Sequence, residues 1–98
     1  MENEKMKMEH VTGKNKGNIM LYALSTCLWC KKTKKILDDL GVEYHFLYVD
    51  HLEGDEKEKT KEEIIKWNPN CTFPTIVIND KECIVGFKEK KIKEVLGS

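Results

Sequence analysis

The sequence predicts an α/β fold, a mixed four-stranded sheet with helices packed on it in the order β-α-β-α-β-β-α. Three features lead to that prediction. Ile19-Met20-Leu21-Tyr22-Ala23-Leu24 is a continuous apolar run, the pattern of a strand covered on both faces. Segments of helical periodicity then alternate with segments rich in β-branched and aromatic residues. Lastly, Asn79-Asp80-Lys81 separates two short apolar segments, as in a hairpin.

Each element follows from its own residues. Residues 1–18 are polar, with two glycines and no periodicity, and are expected to be a mobile or loosely attached tail dispensable for chemistry; residues 19–98 form the domain. After the first strand, Ser25 and Thr26 are N-cap candidates for a helix from Leu28 to Leu40. Leu28, Ile36, Leu37 and Leu40 share its apolar face, lysines line the other, and Gly41 stops it. Val42 to Val49 reads as the second strand and Asp50 to Asp55 as a turn. Glu56 to Trp67 is a charged helix docked by Ile64, Ile65 and Trp67 near its end, with Trp67 expected to plug the core. Asn68-Pro69-Asn70 ends it. Thr75 to Ile78 and Glu82 to Val85 are the hairpin strands, with Cys83 expected in the core. Beyond Gly86-Phe87, Ile92, Val95 and Leu96 fall on one face of a last helix.

Composition removes several classes of function. In 98 residues there is room for one domain and one modest core. Lys+Arg and Asp+Glu both number 17, so no overall field favours nucleic acid or an anionic membrane. The longest apolar stretch falls far short of the roughly 20 residues that span a bilayer. The N-terminal residues lack the apolar core and small-residue cleavage site of a secretory signal, so a cytoplasmic location is expected. In that reducing compartment the four cysteines are catalytic, metal-bound or buried thiols rather than a disulfide framework.

Cys27-Leu28-Trp29-Cys30 sits where the buried strand gives way to a helix. Residues three apart on a helix share a face, so the two sulfurs can form a reversible disulfide. Helix N–H groups and the dipole stabilise a thiolate at Cys27, and Lys31, Lys32, Lys34 and Lys35 add positive potential. Such settings lower a thiol pKa from about 8.5 toward roughly 3.5–7.5. Cys27 is thus the expected nucleophile and Cys30, one turn further in, the resolving thiol. A zinc site that adds Cys71 and Cys83 or a histidine is the weaker alternative, because no second C-x-x-C exists. Cys71 reads as a loop cysteine that could lie near the pair, and His10, His45 and His51 show no spacing of a catalytic or metal set.

From Ile19 to about Leu96 the chain resembles the glutaredoxin branch of the thioredoxin-like superfamily, on three motifs. Leu21 to Cys30 is similar to the family's first strand and active-site turn, Thr72-Phe73-Pro74 to its Thr-x-Pro segment, and Val85-Gly86-Phe87-Lys88-Glu89 to its Gly-Gly-x-Thr-Asp turn. The resemblance implies that Pro74 is cis and faces the redox pair, and that the Phe73 backbone pairs with extended substrate. It also implies that Gly86, Phe87 and Glu89, with Thr72 and Trp29, lie at the substrate. The third motif is incomplete: Val85 replaces the first glycine and Lys88 the small hydroxyl residue, and Gly86 also reads as a plain strand-to-helix turn. Leu28 and Trp29 stand where the family has proline and tyrosine. Leu24 replaces a lysine and lacks the charge to bind a glycyl carboxylate. Trp29 is read as a hydrophobic lip beside the exposed sulfur rather than an edge of the core.

The expected activity is dithiol-disulfide exchange on protein or glutathione mixed disulfides, with no bound metal or organic cofactor. Glutathione or a flavin disulfide reductase would restore the dithiol, and the expected state is a monomer. The rival is an iron–sulfur carrier in which Cys27 from two chains ligates a cluster.

Overall fold

The computed structural model describes residues 8–97. Strands β1 (Met8–Val11), β2 (Ile19–Ala23), β3 (Tyr44–Tyr48), β4 (Thr75–Ile78) and β5 (Glu82–Val85) form one sheet in the order β1-β3-β2-β4-β5. Helices α1 (Leu28–Leu40), α2 (Gly54–Trp67) and α3 (Glu89–Leu96) complete the fold. β2 and β3 are parallel, joined through α1, while β4 runs antiparallel to β2 and β5 to β4. This is the mixed α/β architecture expected, with one strand more.

The additional strand comes from the segment expected to be a tail. Met8–Val11 pairs antiparallel with β3, placing His10 opposite His45, and Val11 packs against the core. The His10 and His45 rings stack at 4.5 Å, and His10 contacts Glu43. Lys14 bridges to Val42 just beyond it. The rest of the expected tail, residues 1–7, lies outside the described residues.

Strand parity divides the core. Ile19, Leu21 and Ala23 of β2, Phe46 of β3, Ile76 and Ile78 of β4 and Ile84 of β5 face α1 and α3, where Ile36, Leu37, Ile92 and Leu96 meet them. The register agrees, since Leu21 lies opposite both Phe46 and Ile76, and Ile76 opposite Ile84. Alternate residues on the other face are covered by α2, which buries Ile64 alone. Trp67, expected as a core plug, is half-buried and walls a groove with Met20, Tyr22 and Val77. Cys83 is likewise on this face rather than in the core: it is half-buried, and its Sγ reaches the Trp67 carbonyl at 3.2 Å. Period-two alternation moved it there, because Ile84 takes the core position.

α1 stops at Gly41, whose φ of 70° is the left-handed cap that glycine adopts without strain. β3 is shorter than expected, since Val49–His51 turns into a 3-10 helix that leads to α2. The C-terminal ends of β2 and β3, the N-terminus of α1 and the turns before β4 and after β5 carry the residues described next.

Candidate active site

α1 begins at the first cysteine. Ser25 and Thr26 were the expected caps, but Cys27 is the N-cap: its backbone is extended, and its Sγ accepts the Cys30 N–H at 3.1 Å. Any N-cap acceptor must satisfy an otherwise unpaired amide of the first turn, and here that acceptor is a sulfur. Ser25 is used differently. Its N–H, at 2.9 Å, and its hydroxyl both donate to the Asp50 carboxylate, in the 3-10 turn that follows β3. Those two bonds, with the Cys27 N–H donating to the Leu24 carbonyl at 3.1 Å, fix the loop that presents Cys27.

The two thiols occupy different environments. Cys27 is half-buried, whereas Cys30 is 2% exposed and belongs to the core. Burial, then the hydrogen bond with Cys27, pushes the Cys30 thiol up to about 12, so it stays protonated beside Cys27. The charge of Asp50 raises it further. No acidic residue sits in the first turn of α1. Of the four lysines expected to add positive potential, Lys34 and Lys35 are instead turned to Asp38 and Asp39, four residues on. Lys32 leans over the Trp29 ring, with Nζ 4.8 Å from its centroid.

Leu28 and Trp29, the residues between the cysteines, are 61% and 51% exposed. Trp29 packs on Phe87 with ring centroids 5.3 Å apart. Together with Phe73, Pro74 and Gly86 they line a cavity of about 290 Å³. The Phe73-Pro74 peptide is cis, and Gly86, at φ 84°, donates its N–H to the Pro74 carbonyl at 2.8 Å. Trp29, Phe73, Pro74, Gly86 and Phe87 are thus brought together by the fold. Among the described residues the N–H and C=O of Phe73 have no hydrogen-bond partner.

Two other residues named from the sequence sit elsewhere. Thr72 supports the Phe73-Pro74 turn from behind: its carbonyl accepts from Thr75 Oγ1 at 2.7 Å and, with its hydroxyl, from the Asn68 amide. Glu89 opens α3 and pairs with Lys93 at 2.8 Å, on the surface of its own helix. Lys88, not an acidic or hydroxyl residue, is the N-cap of α3 and makes no side-chain cap bond.

Asn68 and Asp50 were missed. Asn68 is 3% exposed, and its amide nitrogen reaches Thr72 and Thr75, tying the end of α2 to the cis turn. In the sequence it is indistinguishable from an ordinary helix-ending asparagine beside proline. Asp50 follows a β-strand, where nothing local signals that its carboxylate reaches back to residue 25. Cys71 has a left-handed φ of 50° and donates its N–H to the Asn68 carbonyl. Among the described residues, no three His, Cys, Asp or Glu side chains converge as a metal-binding set.

The family's sequence model for glutaredoxin matches residues 19–84, the segment from β2 into β5. The chain belongs to the glutaredoxin family. A crystal structure of a glutaredoxin from Methanosarcina mazei Go1 superposes with a TM-score of 0.87 at 54% identity, covering 94% of this chain and 89% of that one. The methanoredoxin of Methanosarcina acetivorans gives 0.85 at 51% identity, over 88% and 90%. A glutaredoxin-like 8.6 kDa protein of the rubredoxin operon of Clostridium pasteurianum is 33% identical over 80% of this chain and 96% of its own length. It is a glutaredoxin-family thiol redox protein in which Cys27 and Cys30 are spaced as C-x-x-C.

Proposed function

We propose that the protein is a dithiol reductant of protein or glutathione mixed disulfides, with Cys27 as nucleophile and Cys30 as resolving thiol. The observation that supports this most is the asymmetry of the pair: one sulfur half-exposed at a helix cap, the other buried and protonated one turn inside. The Cys27 thiolate attacks one sulfur of the substrate disulfide, joining it and releasing the other half as a thiolate. Bond formation at Cys27 removes one of the influences that hold the Cys30 proton. Cys30 then loses that proton, attacks the Cys27 sulfur and expels the remaining thiol, leaving a Cys27–Cys30 disulfide.

The unpaired Phe73 N–H and C=O support docking of the substrate as an extended strand beside the exposed sulfur. The cycle requires no bound cofactor, only an external two-electron donor, glutathione or a flavin disulfide reductase. We place this chemistry in the cytoplasm and assign it to a monomer. Among the described residues no helix is long and apolar enough to cross a membrane.

An anaerobic disulfide-reduction assay tests the reading, comparing glutathione plus its reductase with a thioredoxin-reductase-type donor. Turnover with either, abolished in Cys27→Ser and arrested as a mixed disulfide in Cys30→Ser, is the expected result. No turnover with both donors, together with visible absorption from an anaerobic preparation, would replace it with the iron–sulfur carrier.

A further inference from the structure

The cavity walled by Trp29, two residues along α1 from Cys27, has walls that a disulfide-exchange site does not itself require. Trp29, Phe73, Pro74, Gly86 and Phe87 place three aromatic rings and a proline around about 290 Å³ and contribute no charged side chain. Trp29 lines it while 51% exposed, and its neighbour Leu28 is 61% exposed. A cation stands at the cavity rim. Lys32 lies against the Trp29 ring and makes no ion pair among the described residues. Among the described residues no acidic side chain lines the cavity.

We infer that the Trp29–Phe87 groove selects polypeptide disulfides in which the reacting cysteine is flanked by an aromatic or branched aliphatic side chain and a carboxylate. The apolar side chain enters between Trp29, Phe73 and Phe87, and the carboxylate pairs with Lys32. This rests on the dithiol-reductant reading above and narrows its substrate class. The backbone of such a strand pairs with Phe73, which leaves the neighbouring side chain directed at the rings. Glutathione, whose residues beside cysteine are a γ-linked glutamate and a glycine, has no side chain to fill that volume. Shape and burial supply the apolar preference, and charge complementarity with Lys32 supplies the acidic one.

The chemistry is the exchange already written. Cys27 forms a mixed disulfide with the peptide sulfur, the partner half leaves as a thiolate, and Cys30 releases the peptide as a thiol while the protein dithiol becomes a disulfide.

The test uses the full chain, reduced beforehand, and four symmetrical disulfides of short synthetic peptides whose cysteine is flanked by Gly-Gly, Phe-Gly, Phe-Asp or Phe-Lys, with glutathione disulfide as a fifth substrate. Filling an apolar pocket is worth roughly 10- to 200-fold in kcat/KM, so the phenylalanine peptides should exceed the glycine peptide by at least about tenfold. The aspartate peptide should exceed the lysine peptide by severalfold at low salt, a gap that narrows as salt is added. Trp29→Ala should erase the first preference while leaving the second, and Lys32→Glu should invert the second while leaving the first. Both positions are exposed, so the variants report on recognition rather than folding. Equal rates for all five substrates would overturn the groove assignment and leave the dithiol mechanism standing. Failure of every substrate would overturn both.

Discussion

Asp50 holds Ser25 by two hydrogen bonds, so the turn that follows β3 is fastened to the loop that delivers Cys27. The contact spans 25 residues of sequence and links the segments that follow two parallel strands, at the end where Cys27 emerges. Its carboxylate is held below the usual range chiefly by the Ser25 hydroxyl, and its charge in turn raises the Cys30 thiol. Asp50→Asn keeps an acceptor for Ser25 but removes the charge. The alkaline titration of Cys30, followed by thiolate absorbance, should move to lower pH, whereas Ser25→Ala should loosen the loop without that charge effect. The sign with pH is fixed as well. A carboxylate depressed in the folded state contributes stability that is fully present above the ordinary range of about 4 and is lost as pH falls through its folded value. Asp50→Asn protein should therefore show a shallower loss of stability in acid denaturation.

Cys30 predicts the opposite limb. Its thiol is raised to about 12, so its contribution to stability is fully present below the ordinary thiol value of about 8.5 and is lost as pH rises from there through about 12. Denaturation melts between neutral and strongly alkaline pH should fall more steeply for the wild type than for Cys30→Ala. Alkylation of the native, reduced protein near neutral pH should modify Cys27 and spare Cys30 until the chain is unfolded.

Asn68 tests how the cis turn is held. Removing its amide in Asn68→Ala takes donors from Thr72 and Thr75 in a buried setting, a loss of roughly 1–3 kcal/mol. Chemical denaturation should register it, and kcat/KM for peptide disulfides should fall more than for a small disulfide that does not use the Phe73 backbone. Asn68→Asp, which cannot donate, should behave no better than alanine.

The first strand makes a fourth prediction. Four cross-strand pairs at about 0.2–1 kcal/mol each put β1 at roughly 1–4 kcal/mol. A chain starting after Val11 should melt lower than one starting at Met8, by roughly 4–8 °C for each kcal/mol lost. Equal thermal stability of the two would show that β1 adds nothing.

What the sequence made legible followed physical signals that lie within one element. The apolar run at Ile19, the 3.6-residue spacing of Ile36, Leu37 and Leu40, and the Asn79–Lys81 turn each bury or bend the chain by local chemistry. Met8-Glu9-His10-Val11 has no such pattern, being nearly all exposed, and becomes a strand because β3 offers it an edge. Trp67 and Cys83 were misplaced because apolarity alone does not say which sheet face a residue meets. At the site, the cysteines and the Phe73-Pro74 segment could be found by motif, whereas Asp50 and Asn68 act through contacts whose partners lie on other elements or in a turn. Glu89 is a motif position whose side chain makes an ion pair on its own helix.

The sulfur proposed as the nucleophile is also the sulfur that caps α1. A disulfide sulfur at Cys27 is a feebler acceptor than the reduced sulfur, so on the proposed cycle the amide of Cys30 loses much of its counterpart when that disulfide forms. The opening turn of the helix is therefore taut in the reduced protein and slack in the oxidised one, and amide exchange at that single position would serve as an internal gauge of how far the dithiol has been spent.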